Sequence, residues 1–109
     1  MTQVAPIRTP PIRVSLVDDQ TLVRQGIRSL LALAEGIEVV AEASDGRQAV
    51  EQIPQVAPDV VLMDMRMPVM SGLESLQAMS RAGTLPPTII LTTFDDDALV
   101  LAGIKAGAK

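Results

Sequence analysis

The sequence predicts an α/β fold: a doubly wound parallel sheet in which four strands alternate with four helices, βαβαβαβα. Two observations predict it. From Ile12 onward, short unbroken apolar runs alternate with longer stretches whose apolar residues recur every three or four positions. Unbroken apolar strands, as opposed to strands that alternate apolar with polar, belong to sheets covered by helices on both faces. A length of 109 residues with 48% hydrophobic content suits a single domain with one core.

Residues 1–11, with Pro6, Pro10 and Pro11 and no periodicity, read as a flexible N-terminal leader. Residues 12–109 form the domain. Arg13 to Val17 is the first strand, ended by Asp18-Asp19. Thr21 to Ala34 is the first helix, with Leu22, Val23, Ile27, Leu30 and Leu31 on its inward face and Gly36 at its stop. Glu38 to Ala43 is the second strand. Asp45-Gly46 turns the chain into a short helix that points Ala49, Val50 and Ile53 inward and is ended or kinked by Pro54. Asp59 to Met63 is a buried third strand that runs up to Asp64. Ser71 to Arg81 is the third helix, burying Leu73, Leu76 and Met79. Thr88 to Leu91 is the fourth strand, ending at Thr92. A last helix capped by Asp96 or Asp97 runs to Ala106, with Gly107 at its C-terminal end.

Composition removes whole classes of chemistry. Without cysteine or histidine there is no disulfide framework, no thiolate or imidazole metal site, and no histidine-based triad. Phe94 is the sole aromatic residue, the net charge is −4, and no basic cluster stands out, so this segment is not expected to contact nucleic acid. No apolar run is long enough to span a bilayer, and the N-terminus lacks a secretory pattern, which points to a cytoplasmic chain with no membrane partner.

What remains is a set of strand ends. Ligands of open α/β sheets bind beyond the carboxyl ends of the strands. There the first strand carries Asp18-Asp19, the third Asp64 and the fourth Thr92-Thr93. Carboxylates gathered on one rim repel one another unless a cation compensates. Mg²⁺ suits such a site, because it works with few carboxylates and shares phosphate oxygens. One carboxylate attacking phosphorus, with acids for a metal and a hydroxyl for the new oxyanion, makes a phosphoryl-transfer site.

The segments Val17-Asp18-Asp19-Gln20, Asp64-Met65-Arg66-Met67-Pro68, Gly72 and Leu91-Thr92-Thr93-Phe94 resemble, in order and spacing, the CheY-like receiver domains of two-component response regulators. The runs around Asp18 and Thr92 are similar to the NarL/FixJ branch. The resemblance implies that Asp64 is the phosphoacceptor, served by a sensor histidine kinase. It implies Mg²⁺ on Asp18, Asp19, Asp64 and the backbone carbonyl of Arg66, with Asp18 acting largely through water. Thr92 would be the switch hydroxyl, Thr93 the small residue beside it, and Pro68 and Gly72 the loop at the site's edge. It further implies a regulator without catalytic turnover of its own, whose output is transcription through a helix-turn-helix domain outside this chain.

Plainer readings exist for each residue taken singly. An Asp-Asp pair after a strand serves as a helix cap, and paired threonines are ordinary strand residues. Asp95 to Asp97 reads as a cap and a solvated face, and the methionines at 63, 65, 67 and 70 as adaptable packing. Capping does not account for a third acid at another strand's end. Two other functions share the fold. An Mg²⁺-dependent phosphohydrolase would need a second acid after Asp64, where Met65-Arg66 supplies none. A phosphorylation-independent interaction module would not need the acids.

The family pattern continues past Lys109 into a fifth strand bearing a lysine and an aromatic switch residue, then a fifth helix. Lys109 lies too early to be that lysine. A domain lacking those elements would leave the Thr88–Leu91 strand as an apolar sheet edge, and such an edge invites self-association. Light scattering at high protein concentration checks this expectation, and a clean monomer would contradict it.

Overall fold

The computed structural model describes residues 10–67, 69–91 and 97–107, with the backbone alone for residues 97–100. Most of the expected leader, together with Pro68, Thr92, Thr93, Asp96 (one of the two expected helix caps) and Lys109, lies outside the described residues.

The chain runs β1 (Ile12–Val17), α1 (Thr21–Ala32), β2 (Ile37–Ala43), α2 (Gly46–Val56), β3 (Val60–Asp64), α3 (Gly72–Ala82), β4 (Thr88–Leu91) and α4 (Asp97–Lys105). The strands form one parallel sheet in the order β2-β1-β3-β4. The strand order reverses direction between β1 and β3, and this is the switch point at which an open α/β sheet forms its ligand crevice. In β2 one extra residue, Val40, bulges between the partners of Val14 and Ser15.

The core lies on the sheet face covered by α2, α3 and α4. Val17, Ala43, Val61 and Met63 of the strands meet Ala49, Ile53, Leu76 and Met79 of the helices. Burying aliphatic side chains of this size contributes roughly 1.5–3 kcal/mol each. Met65 joins this core directly after Asp64, and Ile90 packs on its margin. Gly103 of α4 is buried where the helix crosses that margin. A β-carbon there would overlap Cδ1 of Ile90 and lie 3.3 Å from Sδ of Met65. The methionines at 63 and 65 are fully buried and pack in this core.

Local signals account for the helix ends. Asp45 accepts the Gln48 N–H at 2.8 Å as the N-cap of α2. Ser71 and Glu74 form a reciprocal capping box on α3, and Gly83 closes that helix in the left-handed region.

Three expectations need correction. The stripe assigned to the inward face of α1 is only partly used: Ile27 and Leu31 are half-buried, whereas Leu22 is 83% exposed, Leu30 69% exposed and Val23 also exposed. Among the described elements α1 packs chiefly on β2, and that contact is narrower than the stripe. Gly36 does not stop α1, which ends at Ala32. It instead turns the chain into β2 with φ 81°, and its carbonyl accepts the Ile12 N–H at 2.7 Å. Pro54 does not end α2 at its own position; the helix runs on to Val56. A proline removes one helical hydrogen bond. Burial of Ile53, and the Ala57 N–H donated to the Ile53 carbonyl at 2.8 Å, hold the last turn across that gap. β4 stands at one edge of the described sheet, with Ile89 48% exposed.

Ala57 ends α2 in the left-handed region, with φ 50° and ψ 60°, a conformation that glycine adopts without the Cβ penalty. Ala57→Gly is therefore expected to stabilise the fold by about 0.5–1 kcal/mol. Urea unfolding checks this through a raised midpoint at unchanged slope.

Candidate functional site

The register of β1 against β3 builds the site. Val17 pairs with Met63, so one step further along both strands Asp18 comes level with Asp64. Asp19 follows in the same turn. One carboxylate oxygen from each of Asp18, Asp19 and Asp64 lies within 4.8 Å of the others. Asp18 is buried, Asp64 half-buried and Asp19 exposed, so the cluster faces solvent on one side only.

Two of the three acids, Asp18 and Asp64, accept a main-chain hydrogen bond. The Gln20 N–H donates to Oδ1 of Asp18 at 2.8 Å, and the Asp18 N–H donates to the Ala43 carbonyl at 3.1 Å. The Arg66 N–H donates to Oδ1 of Asp64 at 3.1 Å. Burial pushes the pKa of the Asp64 carboxyl above its ordinary value. The Arg66 N–H draws it back, while the negative charges of Asp18 and Asp19 add to the upward push. The site thus holds a carboxylate whose charge is costly until a cation joins it. Three oxygen donors of unlike burial at this spacing fit a hard divalent ion, with room for water and a ligand on the exposed side.

The loop after β3 is pinned from two sides. The Gly72 N–H donates to the Met65 carbonyl at 3.0 Å, and a β-carbon on Gly72 would overlap the Asp64 carbonyl oxygen and come within 2.8 Å of the Met65 Cα. The Gly46 N–H donates to the Met70 carbonyl at 2.9 Å, and a β-carbon there would come within 2.7 Å of the Ser71 carbonyl. Both glycines permit a close approach of backbones that any side chain would block. Between them Val69, 77% exposed, stands at φ 68°, a strained conformation for a β-branched residue.

Of the residues expected at the site, Asp18, Asp19 and Asp64 converge, and Gly72 lies against the chain at Asp64. The peptide of Arg66 sits beside the Asp64 carboxylate through its N–H. Pro68, Thr92 and Thr93 lie outside the described residues. Two residues were missed. Gly46 was read only as a turn, and its contact with Met70 is tertiary. Arg24 donates from Nη1 to the Asp18 carbonyl at 2.6 Å. Its signal was a cation in the first turns of a helix without acidic residues there, where the helix dipole disfavours it.

The fold and the acidic crevice at its switch point define a parallel α/β domain with a carboxylate rim, and similarity to known proteins narrows the class. Residues 14–109 match the family described as the response regulator receiver domain. The nitrate/nitrite response regulator protein NarP of Escherichia coli is 47% identical over 98 residues, covering 90% of this chain and 46% of that protein. The transcriptional regulatory protein LnrK of Bacillus subtilis is 40% identical over 98 residues, covering 90% of this chain and 44% of that protein. The signal receiver domain of NarL from Mycobacterium tuberculosis superposes with a TM-score of 0.85 at 34% identity, covering 92% of this chain and 81% of that one. This chain belongs to the response regulator receiver domain family and has the CheY-like fold. It spans about half the length of the curated relatives it matches.

The raised pKa of Asp64 has a stability consequence. The folded chain holds this proton more tightly than the unfolded chain, so the stabilising contribution is complete below the ordinary value of 3.8. It is lost as pH rises through the folded value, and at neutral pH ionised Asp64 opposes folding. In divalent-free buffer at pH 7, Asp64→Asn should raise the thermal midpoint, and the difference should shrink toward pH 3. A lower midpoint for the variant at pH 7 would contradict the assignment of strain to this carboxylate.

Proposed function

We propose that this receiver domain accepts a phosphoryl group on Asp64 from a phosphohistidine of a sensor histidine kinase. The Asp64 carboxylate, oriented by the Arg66 N–H, attacks phosphorus. The phosphorus–nitrogen bond to the donor imidazole, whose other ring nitrogen already bears a proton, breaks, and the ring leaves as neutral imidazole. Asp18, Asp19, Asp64 and the backbone carbonyl of Arg66 would hold Mg²⁺. The bound ion would supply the positive charge that lets phosphoryl oxygens approach this acidic rim. Thr92 donates its hydroxyl to the new phosphoryl group, Thr93 leaves space beside it, and the Pro68–Gly72 loop shapes the rim.

The observation that carries this reading is the convergence of three carboxylates from two separate strand ends, with one half-buried acid made costly by burial and then by its neighbours. Met65 and Arg66 supply no second acid after Asp64, which fits a stoichiometric acceptor better than a hydrolase, so the chain is not itself an enzyme. Phosphorylation changes partner choice. The output is transcription through a helix-turn-helix domain outside this sequence, as the names of the regulators it resembles suggest. Among the described residues no helix is long and apolar enough to cross a membrane, and the setting we assign is the cytoplasm.

Incubating the protein with a small phosphodonor and Mg²⁺ should add the mass of one phosphoryl group. Asp64→Asn should add none, and chelation of the metal should abolish labelling of the wild type. Equal labelling of the variant would overturn the assignment.

A further inference from the structure

We propose that Arg24 is a positioning residue of the acidic site, fixing the Asp18–Asp19 turn and thereby setting its affinity for a divalent cation. This rests on reading Asp18, Asp19 and Asp64 as the cation site. Arg24 reaches back from α1 and donates from Nη1 to the Asp18 carbonyl at 2.6 Å. That carbonyl shares a rigid peptide plane with the Asp19 N–H. Holding it fixes the orientation in which the chain enters Asp19, and so the direction of the Asp19 side chain. The Asp18 carboxylate is tied separately, by the Gln20 N–H. Asp19 is exposed, so its aim depends on the backbone beneath it.

The arginine is itself held in place. Its side chain is 15% exposed, and Nε lies 3.4 Å from Oε1 of Glu42 on β2. That contact is misaligned for a hydrogen bond, and Nε is buried with no such partner among the described residues. The other Glu42 oxygen, Oε2, accepts from Nη1 of Arg28 at 2.7 Å. A part-buried guanidinium held between one main-chain carbonyl and the Glu42 carboxylate, against the sense of its helix dipole, is not a free surface charge. Its fork joins the turn carrying two of the three acids to the neighbouring strand. Groups standing behind metal ligands set ligand direction without touching the ion.

The test titrates wild type, Arg24→Met, Arg24→Lys and Arg28→Ala with Mg²⁺ alone, following backbone amide resonances near residues 18, 19 and 64. Thermal midpoints are recorded in parallel. Arg24→Met keeps the apolar stem and loses the donors, and its Mg²⁺ Kd should rise roughly tenfold, the scale of losses behind metal ligands. Arg24→Lys, with one donor group restored, should recover part of that loss. Arg28→Ala, which breaks only the exposed pair with Glu42, should bind as wild type does. A folded Arg24→Met with wild-type affinity overturns the proposal, and so does an equal loss in Arg28→Ala, which would make the effect one of net charge. If Arg24→Met does not fold, the wild type decides: Mg²⁺ should shift the Arg24 Nε–H resonance and leave that of Arg28 in place, and a motionless Arg24 signal overturns the proposal. A wild type that binds no Mg²⁺ removes the cation-site reading first, and this inference with it.

Discussion

Parallel pairing of β1 with β3 sets the terms for everything else in this molecule. With Val17 opposite Met63, two chain ends that both carry carboxyl groups leave the sheet side by side. The strands cannot slip by one residue without turning Val17 and Met63, both buried, toward the opposite face. Hydrophobic burial therefore enforces a like-charge contact at the rim. The core holds together an arrangement that electrostatics alone would disperse, and a site that welcomes positive charge results.

The surroundings keep the arrangement narrow. Main-chain N–H groups of Gln20 and Arg66 each take one acid. The loop leaving Asp64 is clasped at Met65 by Gly72 and at Met70 by Gly46, with Val69 left in a strained conformation between the clasps. Strain of this kind persists only where flanking structure over-determines the backbone. Here the flanks are two helix N-termini, so the loop's shape is set by how α2 and α3 dock.

Much of this was legible in the residues themselves, because the relevant signals are short-range. Apolar runs ending in Asp18 and Asp64 gave the rim, and the spacing of Leu73, Leu76 and Met79 gave α3. The errors have a common physical cause. The apolar stripe of α1 shows what the helix offers, while burial depends on the width of the surface it meets. Gly36 was read as a helix stop when its left-handed conformation serves a turn into β2. Pro54 obeys its local rule by losing a hydrogen bond, yet packing of Ile53 outweighs that loss. Arg24 escaped notice because its partner is a carbonyl oxygen, a group that every residue carries and no sequence pattern marks. Gly46 escaped because only docking reveals the backbone it must approach.

One feature of the packing reaches beyond the rim. Gly103, Ile90 and Met65 share a single tight volume, and Met65 is bonded directly to Asp64. Side-chain bulk at these three positions is thus a conserved sum: growth at one must be matched by shrinkage at another. Across related chains the three should vary together, and a swap made at one site alone would jam the seat of α4. The thioether, flexible and without polar demands, is well suited to be the member of the trio that yields. It gives α4 a dry mechanical link to the chain at the acidic rim.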